Sequence, residues 1–220
     1  MTELNHVQPG GAPLVVRLSA SVTMTKVSVG PMDNNAYLLQ SASGATVLID
    51  AANDSGRLLK IIGDEPLDTI VTTHRHGDHW QGLAAVVDAT GARLIGGRPD
   101  IDAIAQGAKV GGLVGVWDGD QVELGEESLA VIGLVGHTPG SITLVYTGGG
   151  PVHLFTGDSL FPGGPGRTTT PEDFASLMDD LESKVFARFD DSTVVHPGHG
   201  DDTTLGAERP HLSEWRARGW

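Results

Sequence analysis

The sequence predicts an α/β chain: two β-sheets packed face to face with helices outside. Two observations carry that prediction. Apolar runs come in the order strands, helices, strands, helices, and not as alternating βα units. Glycine fills 31 of 220 positions, about twice its average share, which suits short strands joined by tight turns.

Taken in order, residues 1–13 are polar, carry Pro and Gly, and are expected to form a loose arm with His6 facing solvent. Runs at 14–18, 22–29, 36–40 and 45–50 are rich in β-branched residues and separated by turn residues, so they read as strands. Residues 54–62 read as a helix starting at Asp54 or Ser55. A buried strand is expected at 69–73, a helix over 78–89 ended by Gly91, and a short strand at 93–95. Pro99 opens a short helix over 99–105. Strands follow at 110–117, 121–124, 129–135, 142–146 and 152–156. Phe174, Leu177, Met178, Leu181 and Val185 recur at spacings of three and four and predict a helix over 172–186. A last strand at 193–195 precedes a Pro-Gly turn, and the basic stretch 209–218 is expected to pack Leu212 and Trp215 on the body. No repeat of period 20–50 and no low-complexity tract interrupts the chain, so residues 1–220 read as one domain.

Composition excludes several functions. Lys and Arg number 14 against 28 Asp and Glu, giving a net charge of −14. Such a chain is a poor partner for polyphosphate backbones and anionic membranes, so a small-molecule substrate is expected, with no nucleic acid and no membrane. Cysteine is absent, which rules out disulfides, thiolate metal sites and cysteine nucleophiles. No apolar run of about 18 residues exists, and the first residues lack a basic-then-apolar leader, so the expected location is the cytoplasm.

The richest segment runs from Thr73 to His79 and reads T-H-R-H-G-D-H. It directly follows the strand expected at 69–73. In extended chain His74 and His76 share a face and can converge on one ion. Asp78 and His79 fall at the expected helix start, point elsewhere, and can serve a second ion nearby. Imidazole with carboxylate is a donor set for zinc, iron or manganese. Three later segments each place one donor just past a strand: His137 in G-H-T-P-G-S, Asp158 in G-D-S-L-F, and His199 in P-G-H-G. His153 and His196 are expected to be packed, Trp80 to back the core or the site wall, and Tyr37 and Trp117 to line the substrate mouth. The glycine-rich stretch 107–115 lacks phosphate-loop spacing.

With Asp50 after an earlier strand, these segments resemble the five motifs of the metallo-β-lactamase-fold hydrolases, in order, over about residues 22–200. The resemblance implies an αββα sandwich of two mixed sheets with the site at one edge between them. It implies that His74, His76 and His137 hold one divalent ion, that Asp78, His79 and His199 hold a second, and that Asp158 bridges them. Asp50 would support the ligand loop without binding metal. Zinc is the expected ion, with iron or manganese suiting the same donors. Asp78 and Asp158 would be catalytic in hydrolysis by water activated between the two ions. The stretches G-D-S-L-F, G-G-P-G-R and G-H-T-P-G-S are similar to the glyoxalase II (hydroxyacylglutathione hydrolase) branch. That likeness implies a small thioester substrate and gives Arg167 the position of a substrate-binding basic residue. The aromatic that follows it in that branch is replaced by Thr168, Thr169 and Thr170. Alternatives on the same scaffold are a mononuclear iron persulfide dioxygenase, a lactonase and a non-catalytic binding protein.

Overall fold

The computed structural model describes residues 5–219. Its strands are β1 (Leu14–Arg17), β2 (Val22–Val29), β3 (Asn34–Ser41), β4 (Thr46–Ile49), β5 (Thr69–Thr72), β6 (Arg93–Gly97), β7 (Val114–Val116), β8 (Gln121–Leu124), β9 (Glu127–Gly133), β10 (Ile142–Tyr146), β11 (His153–Gly157), β12 (Leu160–Phe161), β13 (Gly164–Pro165), β14 (Val194–Pro197) and β15 (Thr203–Thr204). One sheet takes β1 to β7 in chain order. Its strands are antiparallel from β1 to β4 and parallel from β4 to β7. The second sheet has the order β15-β14-β11-β10-β9-β8. Only β11 and β14 pair in parallel there. The helices are α1 (Ser55–Ile62), α2 (Leu83–Thr90), α3 (Ile101–Ala108), α4 (Pro171–Asp180), α5 (Leu205–Glu208) and α6 (Leu212–Arg218).

Both faces of each sheet are covered, so the central strands are apolar on successive residues instead of alternating. Val47, Ile49, Val71 and Ile95 point between the sheets, where they meet Val131, Leu144 and Phe155. Leu48, Ile70 and Leu94 point the other way, onto Leu58 of α1, Leu83 of α2 and Ile104 of α3. On the far side Val145, Leu154 and Val195 meet Leu177 of α4 and Trp215 of α6. The architecture is the αββα sandwich. Among the described residues no helix is long and apolar enough to cross a membrane.

Strand direction decides where chemistry can collect. The parallel run β4, β5, β6 ends at the same edge of the sandwich as β9, β11 and β14. At that edge the sheets are hydrogen-bonded to each other. Ile142 N donates to Thr73 O at 3.0 Å, and Asn35 N donates to Gly198 O at 2.7 Å. Loops beyond parallel strand ends are free of ladder pairing and are the usual place for functional groups.

Several element boundaries differ from the sequence reading. No helix begins at Asp78: residues Gly77–His79 form one 3₁₀ turn, and α2 starts only at Leu83. The reason is tertiary, because Gln81 N and Gly82 N donate to Ala52 O and Ala51 O, outside the helix. The helix expected over 172–186 ends at Asp180 and widens into a π-helical turn, Leu181–Phe186, which keeps Leu181, Val185 and Phe186 all buried. The expected strand 110–117 shrinks to β7, since α3 runs on to Ala108 with Lys109 in the left-handed conformation at its end. Of the segment read as an arm, residues 1–4 lie outside the described residues. Val7 is buried, and His6, expected in solvent, bonds to Asp201.

A Cβ at Gly97, the last residue of β6, would collide with the carbonyl oxygen of Gly140 in the loop after β9. Gly97→Ala is therefore expected to destabilise the fold by about 1–3 kcal/mol through overpacking. Gly111→Ala, where a Cβ meets nothing within 4 Å, serves as the neutral control. Urea unfolding checks this as a shift in midpoint at unchanged slope.

Candidate metal centre

Every donor singled out in the sequence lies in a loop past a strand end at the bonded edge. His74, His76, Asp78 and His79 follow β5, His137 follows β9, Asp158 follows β11 and His199 follows β14. They form clusters whose ligand atoms lie within 4.8 Å of one another: His74–His76–His137, Asp78–His79–His199, and His74–His79–Asp158. In the first, His137 Nε2 is 2.9 Å from His76 Nδ1 and 3.2 Å from His74 Nε2. In the second, His199 Nε2 is 3.3 Å from His79 Nε2 and 3.2 Å from Asp78 Oδ2. Asp158 lies between them. Its Oδ1 is 3.3 Å from His79 Nε2, and its Oδ2 is 3.4 Å from His199 Nε2 and 3.7 Å from His137 Nε2.

The far nitrogens of four rings are each held by an oxygen. His79 Nδ1 meets Asp50 Oδ2 at 2.8 Å, His74 Nδ1 meets Thr73 Oγ1 at 3.0 Å, His137 Nδ1 meets Arg167 O at 2.6 Å, and His199 Nδ1 meets Met32 O at 2.8 Å. A ring that donates from Nδ1 presents a bare lone pair at Nε2. The His74–His137 and His79–His199 pairs thus bring lone pairs together at 3.2 and 3.3 Å. That is repulsive unless a cation or protons lie among them. Asp158 Oδ1 adds to this electron-rich ground, being buried with no hydrogen-bond donor among the described residues. Bonds of about 2.0–2.1 Å around a tetrahedral ion put neighbouring donors roughly 3.3 Å apart, close to the separations seen. The donor set fits a metal site.

The backbone is fitted to this crowding. Asp50 sits in the left-handed region at φ 59° and accepts from Thr73 N and Thr73 Oγ1, both at 2.8 Å, as well as from His79. Gly198 has no substitute, because a Cβ there would strike Asp158 Oδ1 and the His79 ring.

The two clusters differ electrically. Burial, with the neighbouring imidazoles, pushes His74, His76 and His137 below the ordinary histidine range. Burial also opposes charge on His79 and His199, but carboxylates outweigh it: Asp50 and Asp158 raise His79, and Asp158 and Asp78 push His199 up to about 10. Asp78 is held far below the usual carboxylate range, chiefly by its bond to His199. Burial would raise Asp158, and the nearby His199 and His79 rings reverse the sign.

Sequence reasoning missed Asp100, Asn34, Thr73 and Thr138. Asp100, buried just past β6, accepts from Arg75 N at 3.0 Å, Thr138 Oγ1 at 2.6 Å and Gly140 N at 3.1 Å, tying the His74–His79 loop to the His137 loop. Asn34 Nδ2 donates to Asp78 Oδ2 at 2.9 Å. The available signal for Asp100 was its place after a third parallel strand. Two expectations at the mouth are corrected. Tyr37 is buried and donates to Pro197 O at 2.6 Å, because its β3 position points between the sheets. Trp117 packs against that same core, over Gly133. Trp80 backs the site, its Nε1 donating to Arg75 O at 2.9 Å. His153 and His196 bond to each other at 3.0 Å and to no site histidine. Arg167 is exposed, and its carbonyl is the acceptor for His137.

Comparison with known proteins agrees with this architecture. The family model described as metallo-beta-lactamase superfamily matches residues 29–199. The chain belongs to the metallo-β-lactamase superfamily. A hydroxyacylglutathione hydrolase of Anaeromyxobacter dehalogenans is 35% identical over 175 residues, covering 76% of this chain and 61% of that protein. The chain thus spans about three-fifths of that relative's length. Among solved structures, ETHE1 from Myxococcus xanthus superposes with a TM-score of 0.70 at 28% identity, over 86% of this chain and 82% of that one. TTHA1623, solved in a di-iron-bound form, gives 0.69 at 28%, over 84% and 96%. This superfamily member has relatives named hydroxyacylglutathione hydrolase, and its His/Asp clusters fit a metal site.

Asp100→Ala removes the acceptor of three donors on two ligand loops. It is expected to weaken metal binding about 10–100-fold and to cost about 1–3 kcal/mol of stability. Asp100→Asn, which keeps one acceptor oxygen, should fall between. Competition with a chromophoric chelator measures the first effect and urea unfolding the second.

Proposed function

We propose that this chain is a dinuclear metal-dependent hydrolase of small thioesters, of the glyoxalase II kind. The observation that carries it is the meeting of two three-donor clusters at one shared carboxylate, Asp158. His74, His76 and His137 would hold one ion, Asp78, His79 and His199 the other, and Asp158 both. Zinc is our first choice, and iron and manganese suit the same donors. Divalent ions supply Lewis acidity, acidifying water toward neutral pH and stabilising charge on a carbonyl oxygen.

The chain's own residues do the rest. Asp78, ionised and anchored by Asn34, orients the attacking water. Asp158, ionised and buried, holds both clusters in register. Asp50 and Thr73 keep His79 and His74 in the tautomer that faces inward. No serine or cysteine nucleophile is required. Arg167 stands beside the His137 loop and binds a carboxylate of the substrate. Support for a thioester comes from the loop likeness around Asp158 and Arg167 and from the hydroxyacylglutathione hydrolase relative. The Asp78–His79–His199 cluster is intact, which favours two ions over a mononuclear iron centre.

Elemental mass spectrometry on untagged protein should find close to two metal ions per chain. A thioester panel should then show hydrolysis that chelation abolishes and that His74→Ala lowers at least about a thousandfold, as loss of metal chemistry demands. One iron per chain, with oxygen consumed in the presence of a persulfide, would establish the dioxygenase alternative instead. Arg167→Ala should raise KM for carboxylate-bearing thioesters with little change in kcat. Unchanged kcat/KM removes Arg167 from the site.

A further inference from the structure

Behind His199 lies a buried polar cluster that the reaction does not use. Lys26 of β2 is fully buried, and its Nζ donates to Asp202 Oδ1 and to Gly200 O, both at 2.8 Å. Asn35 Nδ2 bonds to Gly200 O at 3.0 Å and to Pro197 O at 2.9 Å, and Tyr37 Oη donates to Pro197 O at 2.6 Å. The carbonyls on both sides of His199 are thus gripped from inside the sandwich. Asp202 Oδ2 is held in turn by His196 Nδ1 at 2.8 Å and by Asn5 Nδ2 at 3.1 Å. His6 bonds to Asp201 and lies 3.8 Å from Asp33 Oδ2, while Gly200 N donates to Asp33 O at 3.1 Å. Lys26, Asn5, His6, Asp201 and Asp202 all fall outside residues 29–199, the part matched by the family model.

A buried ion pair is a poor source of stability, since desolvation cancels most of the attraction. Its best-attested use is to fix register. Here the register it fixes is that of the Pro197–Gly200 turn. We propose that the Lys26–Asp202 pair, latched from outside by Asn5 and His6, is a positioning device for His199 and sets how tightly the Asp78–His79–His199 cluster holds its ion. This rests on the two-ion reading above. By contrast, His74, His76 and His137 take no contact from the cluster and should be indifferent to it.

The test uses the zinc-loaded full chain dialysed against graded chelator, with zinc per chain and circular dichroism read on the same samples. Asn5→Ala with His6→Ala opens the latch and leaves the core intact. Lys26→Met with Asp202→Asn removes both charges of the pair together and keeps an acceptor oxygen for His196. His199→Ala is the benchmark for loss of one cluster. Both double variants are expected to keep one zinc at the wild-type affinity and to release the other at least tenfold more readily, as His199→Ala does. A folded latch variant that holds both ions like the wild type overturns the proposal, and so does equal weakening of both ions in either folded variant. If the core variant does not fold, the latch variant decides alone. A wild-type chain holding fewer than two ions fails the dinuclear reading instead, and that is measured before any variant.

Discussion

The site depends on which way its imidazoles face. Asp50 accepts three hydrogen bonds, from Thr73 N, Thr73 Oγ1 and His79 Nδ1. Because Thr73 Oγ1 gives its proton to Asp50, it is left as an acceptor for His74 Nδ1. A single buried carboxylate thereby sets the tautomer of one histidine in each cluster. Without it, either ring is free to turn a proton inward and close the space an ion needs. The carbonyls of Arg167 and Met32 do the same for His137 and His199. The histidine side chains are therefore only half of the centre. The oxygens behind them decide what they present.

That arrangement is possible because the fold brings the right strand ends together. Six strands that carry site loops end at one edge, and cross-sheet bonds at Thr73 and Asn35 lock that edge. Asp100 and Gly97 act at the same level. The first ties two loops together, and the second lets β6 pass close under Gly140. Packing and polar geometry are coupled there, so a methyl group on β6 can move the loop that carries His137.

The sequence shows the donors far more plainly than their supports. T-H-R-H-G-D-H is legible because extended and turning chain present its side chains to one small volume, and G-H-T, G-D-S and P-G-H each sit where a strand must stop. The sandwich is legible because strands buried on both faces become unbroken apolar runs such as Val47, Leu48 and Ile49. Asp100 is not, since an aspartate directly after Pro99 reads as an ordinary first-turn residue of the short helix expected there, and its three partners are 25 to 40 positions away. Tyr37 misleads for a related reason. An amphipathic ring on a strand suits a pocket wall or a core with one buried acceptor, and only the sheet register, Tyr37 opposite Lys26, selects the second. The 3₁₀ turn at Gly77–His79 is hidden within the helix expected over 78–89, because the pull on Gln81 N and Gly82 N comes from Ala52 and Ala51.

Lone pairs aimed at one another repel where nothing positive lies among them, and the two clusters meet this differently. Asp78, Asp158 and Asp50 draw protons onto His79 and His199, so that half closes on itself through charge-assisted bonds. His74, His76 and His137 are instead driven toward the neutral form by burial and by each other. On the two-ion reading proposed above, an ion at the three-histidine cluster would meet rings that favour the neutral form, whereas one beside Asp78 would compete with protons. On that reading the Asp78 half would depend the more on how firmly the loop bearing His199 is held. That is the loop the fold grips from β2 and β3, with Asn5 holding Asp202 just beyond it.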